Sequence, residues 1–197
     1  MKKAIFIDYL LFTVIIIIYM SFIEYLLHRF VMHYFETEWK GWHTIHHAAI
    51  KKDFTIDRTI KDYDKLDEGN ENLCLGSHAA VVIFTFLILF NIAYPYVSNR
   101  AFSYVITGLI SALMFTYGFL TWNSIHPYMH GECGKEKCKG IDYKTTDYIV
   151  KNVPFFDFLV RNHKAHHKHK GEEKGNYNIT IPIFDFVMNT YNPYYND

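Results

Sequence analysis

Ten of the chain's 12 histidines fall into four groups whose spacing suits metal ligation: His28 and His33; His43, His46 and His47; His126 and His130; and His163, His166 and His167. Side chains at i, i+3 and i+4 share one face of a helix, roughly 5–6 Å apart. Converging neutral imidazoles are good ligands for a transition metal. A single pair four apart is more often a coincidence on a solvated helix. Four groups in 197 residues are a pattern. Ten imidazoles exceed the four to six ligands of one ion, so the set predicts a two-metal centre. Nitrogen ligation suits iron, zinc or copper, and the absence of thiolates in the groups argues against a structural zinc-thiolate site. His28 and His33 are the irregular pair. Five residues place them about 140° apart on a regular helix, so sharing a metal requires the helix to end, bend or bulge there. His78 and His169 stand outside the groups.

The elements that must position these residues alternate between very apolar and very polar. Half the residues are hydrophobic, yet mean hydropathy is near zero. Three apolar runs, Ala4–Leu27, Ala79–Val97 and Ala101–Trp122, are long enough to cross a bilayer as helices. The first is read as an anchor rather than a cleaved signal, because no small-residue cleavage site follows it. Only Ser98, Asn99 and Arg100 separate the second and third, which predicts a helical hairpin. The expected fold is all-α: an integral-membrane helical bundle of three to four membrane helices, one domain over residues 1–197, with a histidine-rich helical cap. Short amphipathic pieces follow at Val153–Val160 and Ile179–Met188.

If the first run crosses once and the next two form a hairpin, every histidine group lies on one side. That side carries all Lys and Arg except Lys2, Lys3 and Arg100, and the positive-inside bias makes it cytosolic. Cys74, Cys133 and Cys138 offer no even disulfide framework and are expected to be thiols there. Lys+Arg and Asp+Glu balance at 20 each, so charge points to no nucleic-acid partner. Glu24 and Asp157 lie close enough in sequence to the groups to orient ligands, or else are interfacial and solvated charges.

At His28-Arg29-Phe30-Val31-Met32-His33, Trp42-His43-Thr44-Ile45-His46-His47, His126-Pro127-Tyr128-Met129-His130 and His163-Lys164-Ala165-His166-His167 the sequence resembles the fatty acid hydroxylase superfamily. That superfamily of integral-membrane oxygenases includes sterol desaturases, sterol methyl oxidases and carotene hydroxylases. The order and spacing look most like the fatty acid 2-hydroxylase branch. The tail, Lys174–Thr180 with Phe184-Asp185 and Asn189-Thr190, is similar to the family's closing segment. The likeness runs from about Glu24 to Thr190. It departs at Asn178 and Asn189, where glycine is usual, and at Phe184, where tryptophan is usual.

The resemblance implies that the ten histidines bind two iron ions, with zinc able to occupy the site in purified protein. It implies O2-dependent hydroxylation of a lipid C–H bond, on a fatty acyl or sphingolipid chain. Electrons would come from NAD(P)H through an external cytochrome b5 or ferredoxin, since no cytochrome b5 domain is fused. In a eukaryotic cell it implies a multi-pass protein of the endoplasmic reticulum with the site facing the cytosol. The lysines between His130 and His163 are then either a docking patch for the donor or a solvated charge run. A sterol desaturase, sterol methyl oxidase or carotenoid hydroxylase would keep the same histidines and change the apolar cavity. Two further readings are a histidine-rich metal transporter and a catalytically inactive lipid-binding relative. Transporters place ligands near the bilayer midplane, whereas these apolar runs contain no histidine, and no ligand is missing.

Overall fold

The computed structural model describes residues 2–63, 74–98, 103–131, 140–168 and 174–193. Among these described residues, seven α-helices and one π-helical segment make up the regular structure. In chain order they are α1 (Lys2–Leu26), the π-helical segment (Leu27–Tyr34), α2 (Glu38–Ala49), α3 (Ser77–Ser98), α4 (Tyr104–Met129), α5 (Tyr143–Asn152), α6 (Pro154–Lys168) and α7 (Ile183–Val187). Among the described residues there is no strand, only one bridge between Ile50 and Ile56.

Three helical stretches are long and apolar enough to cross a membrane: Phe6–Tyr34, Ala79–Tyr96 and Tyr104–Met129. The helix of the third continues past the end of its apolar run at Trp122, so α4 leads straight on through Asn123 and Ser124 into His126. Phe12, Ile16 and Leu87 are the buried centre of the bundle, with Phe90 and Tyr94 packed around them. The rings of Phe12 and Tyr94 meet edge to face at 5.2 Å. The expected hairpin forms: Asn91 donates to Ser111, and Phe84 meets Phe115 at 5.6 Å, an antiparallel register of α3 on α4. The outer faces stay apolar and uncovered, with Val81, Val105 and Leu113 64%, 72% and 67% exposed. Water would not favour such a surface, while lipid matches it.

Beyond the bundle, a second core of Ile125, Met129, Val150, Leu159 and Val160 joins the end of α4 to α5 and α6. Local signals set the helix starts. Thr37 caps α2 by accepting from the Lys40 amide at 3.1 Å, and Asp142 caps α5 by accepting from the Thr145 amide at 3.1 Å. Pro154 opens α6 after an extended Val153, as a proline at the first helical position does.

Cys74 is buried and disulfide-bonded, which corrects the expectation of free thiols. Three cysteines do not make an even framework, but they still allow one bridge. The cysteines therefore give no support to a reducing compartment. Cys133, Cys138 and the lysines of residues 132–139 lie outside the described residues.

Candidate metal centre

The π-helical segment resolves the irregular pair. In the wider i→i+5 turn, residues five apart stack one above the other. His28 and His33 accordingly lie face to face, ring centroids 5.1 Å apart and 19° from parallel. The bulge required for a shared site is present, and it extends over Leu27–Tyr34.

All ten predicted histidines come together. His46, His126, His130, His163 and His167 form one cluster, every member buried, and His28, His33, His43 and His166 form another. In each cluster the candidate ligand atoms lie within 4.8 Å of one another, and each cluster could hold a metal ion. His47 joins the second cluster at its edge, its Nε2 3.1 Å from Nε2 of both His43 and His166. The clusters adjoin, since α2 and α6 feed both; the rings of His47 and His167 are 4.3 Å apart. His78 and His169 have no described side chain.

Backbone carbonyls fix the tautomers of three rings. Nδ1 of His28 donates to the Tyr177 carbonyl, Nδ1 of His166 to the Gly175 carbonyl at 2.6 Å, and Nδ1 of His130 to the Phe54 carbonyl at 2.8 Å. A carbonyl only accepts, so each Nδ1 carries the proton and each Nε2 turns a lone pair inward. Phe54 adopts φ 67°, a left-handed conformation unusual for an aromatic residue, and Asn176, between the other two carbonyl acceptors, adopts φ 57°.

The contacts outnumber the protons available to make them hydrogen bonds. In the second cluster five Nε2–Nε2 contacts span 3.0–3.1 Å: His28–His43, His33–His43, His43–His47, His33–His166 and His47–His166. With His28 and His166 protonated on Nδ1, only His33, His43 and His47 can carry an Nε2 proton, at most three for five contacts. Such a convergence of lone pairs is repulsive without a cation. Nitrogen ligands about 2.1 Å from one ion and at right angles to each other would lie about 3.0 Å apart, which matches these separations. In the other cluster His163 and His167 approach at 2.9 Å, and Nε2 of His46 is buried with no hydrogen-bond partner.

Burial is also the main electrostatic influence. It holds His43, His46, His47, His163 and His167 well below the ordinary imidazole value, with repulsion from neighbouring rings adding to it. The same desolvation brings His166 down to about 3. Neutral imidazoles are the ligating form.

The segment Lys174–Ile181, here called the strap, supplies two of the three anchoring carbonyls. A buried polar network holds it. The two Asp185 oxygens accept from the amides of Tyr177 and Asn178, both at 2.8 Å. Burial pushes this carboxyl up to about 6, against three hydrogen bonds that favour its ionised form. Asn162 of α6 donates to the Asn178 carbonyl at 2.8 Å, and Asn178 donates to the Ser21 carbonyl of α1 at 2.8 Å. Glu24 accepts from the amides of Ile179 and Thr180 at 3.0 and 3.1 Å. It thus orients ligands only through the strap, while Asp157 forms a half-exposed pair with Arg161 at 2.9 Å and orients none. At Gly175 a Cβ would lie 2.0 Å from the Thr190 carbonyl, so only glycine permits this closure. Asn189, at φ 53°, adopts the left-handed conformation glycine commonly supplies.

None of these polar partners except Glu24 was singled out by residue chemistry in the sequence. The tail motif, through its resemblance alone, pointed to Asn178 and Asp185, while Ser21 and Asn162 had no signal. Phe54 had no signal.

A cleft runs from the second cluster into the helical bundle. Its cavity volume is about 50 Å³, and its walls are mostly apolar side chains of α1, α3 and α4, including Ile23, Ile83, Phe115 and Phe119. His28 forms part of its inner wall, and Trp122 packs against that imidazole at 6.1 Å. Compared with known proteins, the chain matches no family model, no curated protein and no solved structure.

Proposed function

We propose that the protein is a membrane-embedded oxygenase that hydroxylates a lipid chain with O2 at a two-metal centre, a fatty acid hydroxylase-like enzyme. The observation that carries this reading is the junction of cluster and cleft: His28 belongs both to a proton-deficient set of imidazoles and to an apolar cleft between three membrane-length helices. The five histidines His28, His33, His43, His47 and His166 would hold one ion, and His46, His126, His130, His163 and His167 the other. When bound, two irons would supply the O2 chemistry needed to attack an unreactive C–H bond. The protein's own contribution is positional. Apolar walls align an acyl chain and exclude water, Trp122 and Tyr177 pack against the ring of His28, and the strap carbonyls keep the lone pairs of His28 and His166 turned inward. The cleft's polar groups Glu24 and Thr180 are engaged with each other, the Thr180 hydroxyl donating to Glu24 at 2.9 Å, which leaves the passage suited to a hydrocarbon. In this reading electrons arrive from NAD(P)H through an external cytochrome b5 or ferredoxin, and the histidine side faces the cytosol.

The test is expression in a host supplied with a reductase and its carrier, followed by lipid analysis and elemental analysis of the purified protein. Hydroxylated acyl chains and close to two metal ions per chain are expected. Altered sterols or carotenoids would replace the acyl substrate while keeping the centre. Unchanged lipids from fully iron-loaded, reduced protein would overturn the oxygenase reading.

A further inference from the structure

Several large apolar side chains remain uncovered outside the long helices. Tyr148, Val153 and Phe155, around the corner between α5 and α6, are 68%, 41% and 43% exposed, and Phe186, Val187 and Met188, at the tip of α7, are 55%, 64% and 48% exposed. They lie beside the bundle, at a level shown by the contacts of their own elements. α7 sits against the last turns of the α1 run: the Phe184 amide donates to Ser21 at 3.1 Å, and the Phe184 ring meets Phe22 at 4.9 Å. The α5–α6 corner sits against the last turns of the α4 run, where Ile149 and Phe156 share a cavity of about 150 Å³ with Tyr117 and Leu120. Tyr191 links the two regions, stacking on Phe186 at 4.2 Å and meeting Phe158 at 6.2 Å.

Ser21 lies six residues before the end of the first apolar run at Leu27, and Tyr117 five before the end of the third at Trp122. At 1.5 Å per residue both contacts are about 7–9 Å inside the apolar zone. Two spans thus place these elements at one depth. It is also the depth, about 5–10 Å, at which interfacial segments bury their apolar faces between headgroups and acyl chains. Lys144 and Lys151, both exposed on α5, have stems long enough to reach the headgroup layer from there.

We propose that the α5–α6 corner and the α7 tip form an interfacial membrane-binding surface, seated in the headgroup–acyl boundary of the bilayer that the long helices cross. The strap would then be held between this surface and the metal clusters, so the bilayer itself would brace the segment that orients His28 and His166. The proposal rests on the long helices crossing a bilayer and is independent of the metal chemistry.

Depth-resolved quenching tests it on the full chain, in phosphatidylcholine vesicles whose lipids are brominated at shallow or deep acyl positions. Val187→Trp, Met188→Trp and Phe155→Trp report on the surface, Lys52→Trp on the polar loop, and Leu109→Trp on the exposed face of α4. The emission of the three native tryptophans is subtracted using the parent protein. Variants that keep the parent's melting temperature are read. At the three surface positions the added emission should be quenched several-fold more by shallow bromines than by aqueous acrylamide, with the reverse at position 52. Acrylamide quenching equal to that of Lys52→Trp would overturn the proposal. So would protection from both quenchers, which would mean that protein, such as a second copy of this chain, covers the surface. Leu109→Trp should be quenched by deep bromines; if it is not, the spanning premise fails, and this outcome is distinguishable from failure of the surface alone.

Discussion

His126 and His130, and His163 and His167, reach the enclosed cluster from ordinary helical turns, each pair four residues apart. His28 and His166 reach the cleft-side cluster with their rings held by carbonyls of a strap that has almost no regular structure of its own. The first arrangement leans mainly on the helical period of α4 and α6, with His46 added from α2 and one distant tie, His130 to the Phe54 carbonyl. The second depends on closing the chain over 149 residues from His28 to Tyr177, and on buried Asn, Asp and Ser side chains that stabilise only when fully paired. The cluster that opens to the cleft is therefore the one built on the more conditional support.

The largest expected effect comes from deleting a ligand on either side. His163→Ala should empty the enclosed cluster and His43→Ala the cleft-side cluster. Each should lower affinity there by more than the 10- to 100-fold expected for a supporting partner, and each should abolish the proposed hydroxylation. Elemental analysis should find about one ion fewer per chain in each case. Retained full activity in either variant would break the assignment of both clusters to one centre.

Acid should act on both clusters, with the sign fixed by the histidines. Their values in the folded chain lie below the ordinary 6.5, so their contribution to stability is complete above about 6.5 and is lost as pH falls. Each imidazole that gains a proton only on unfolding removes about 1.4 kcal/mol per pH unit below that point. Asp185 acts oppositely: raised to about 6, it favours the fold below its unfolded value near 4 and loses that contribution as pH rises through 6. One carboxyl is outnumbered by the imidazoles, so melting temperature and metal content should fall together between pH 7 and 5. A melting temperature that rises over that interval would refute the buried neutral clusters.

How much of this was legible follows the same division. Spacing at His126/His130 and His163/His166/His167 reads directly as one helical face, because ordinary helices preserve their period. The apolar runs read correctly for the same reason, needing only length and hydropathy. His28 and His33 did not, since a π-helical turn has no period that composition reveals; the sequence supports only the demand for a bulge. The strap was legible only as a tail similar to a known family. Its carbonyls act through backbone atoms that every residue shares, and no residue type marks Gly175 or Tyr177 as an acceptor. Likewise Phe54 takes its left-handed conformation with no glycine or asparagine at that position to announce it.

A change confined to the strap should separate the clusters. In Asp185→Asn one oxygen facing a backbone amide becomes an NH2 group, leaving the amide of Tyr177 or Asn178 without its acceptor. Gly175→Ala forces the strap away from the Thr190 carbonyl. Both should weaken the cleft-side ion by about 10- to 100-fold and leave the enclosed ion in place. Metal titration with a chelator should show two release steps where the parent shows release of both ions together or nearly so. Equal loss from both clusters would mean that the strap supports the cap as a whole rather than His28 and His166.

The smallest effect should be the one that cannot distinguish the clusters. Thr37 caps α2, and α2 supplies His43 and His47 to the cleft side and His46 to the enclosed side. Thr37→Ala removes the acceptor for the Lys40 amide on an exposed first turn, at a cost of about 1 kcal/mol. For a chain of this length that is a fall of about 2–4 °C in melting temperature. Because both clusters share the helix, metal release should shift by the same small factor in each. A Thr37→Ala protein that lost one ion selectively would show that α2 frays from one side, and that the division of support lies within this helix rather than between the strap and the helical bundle.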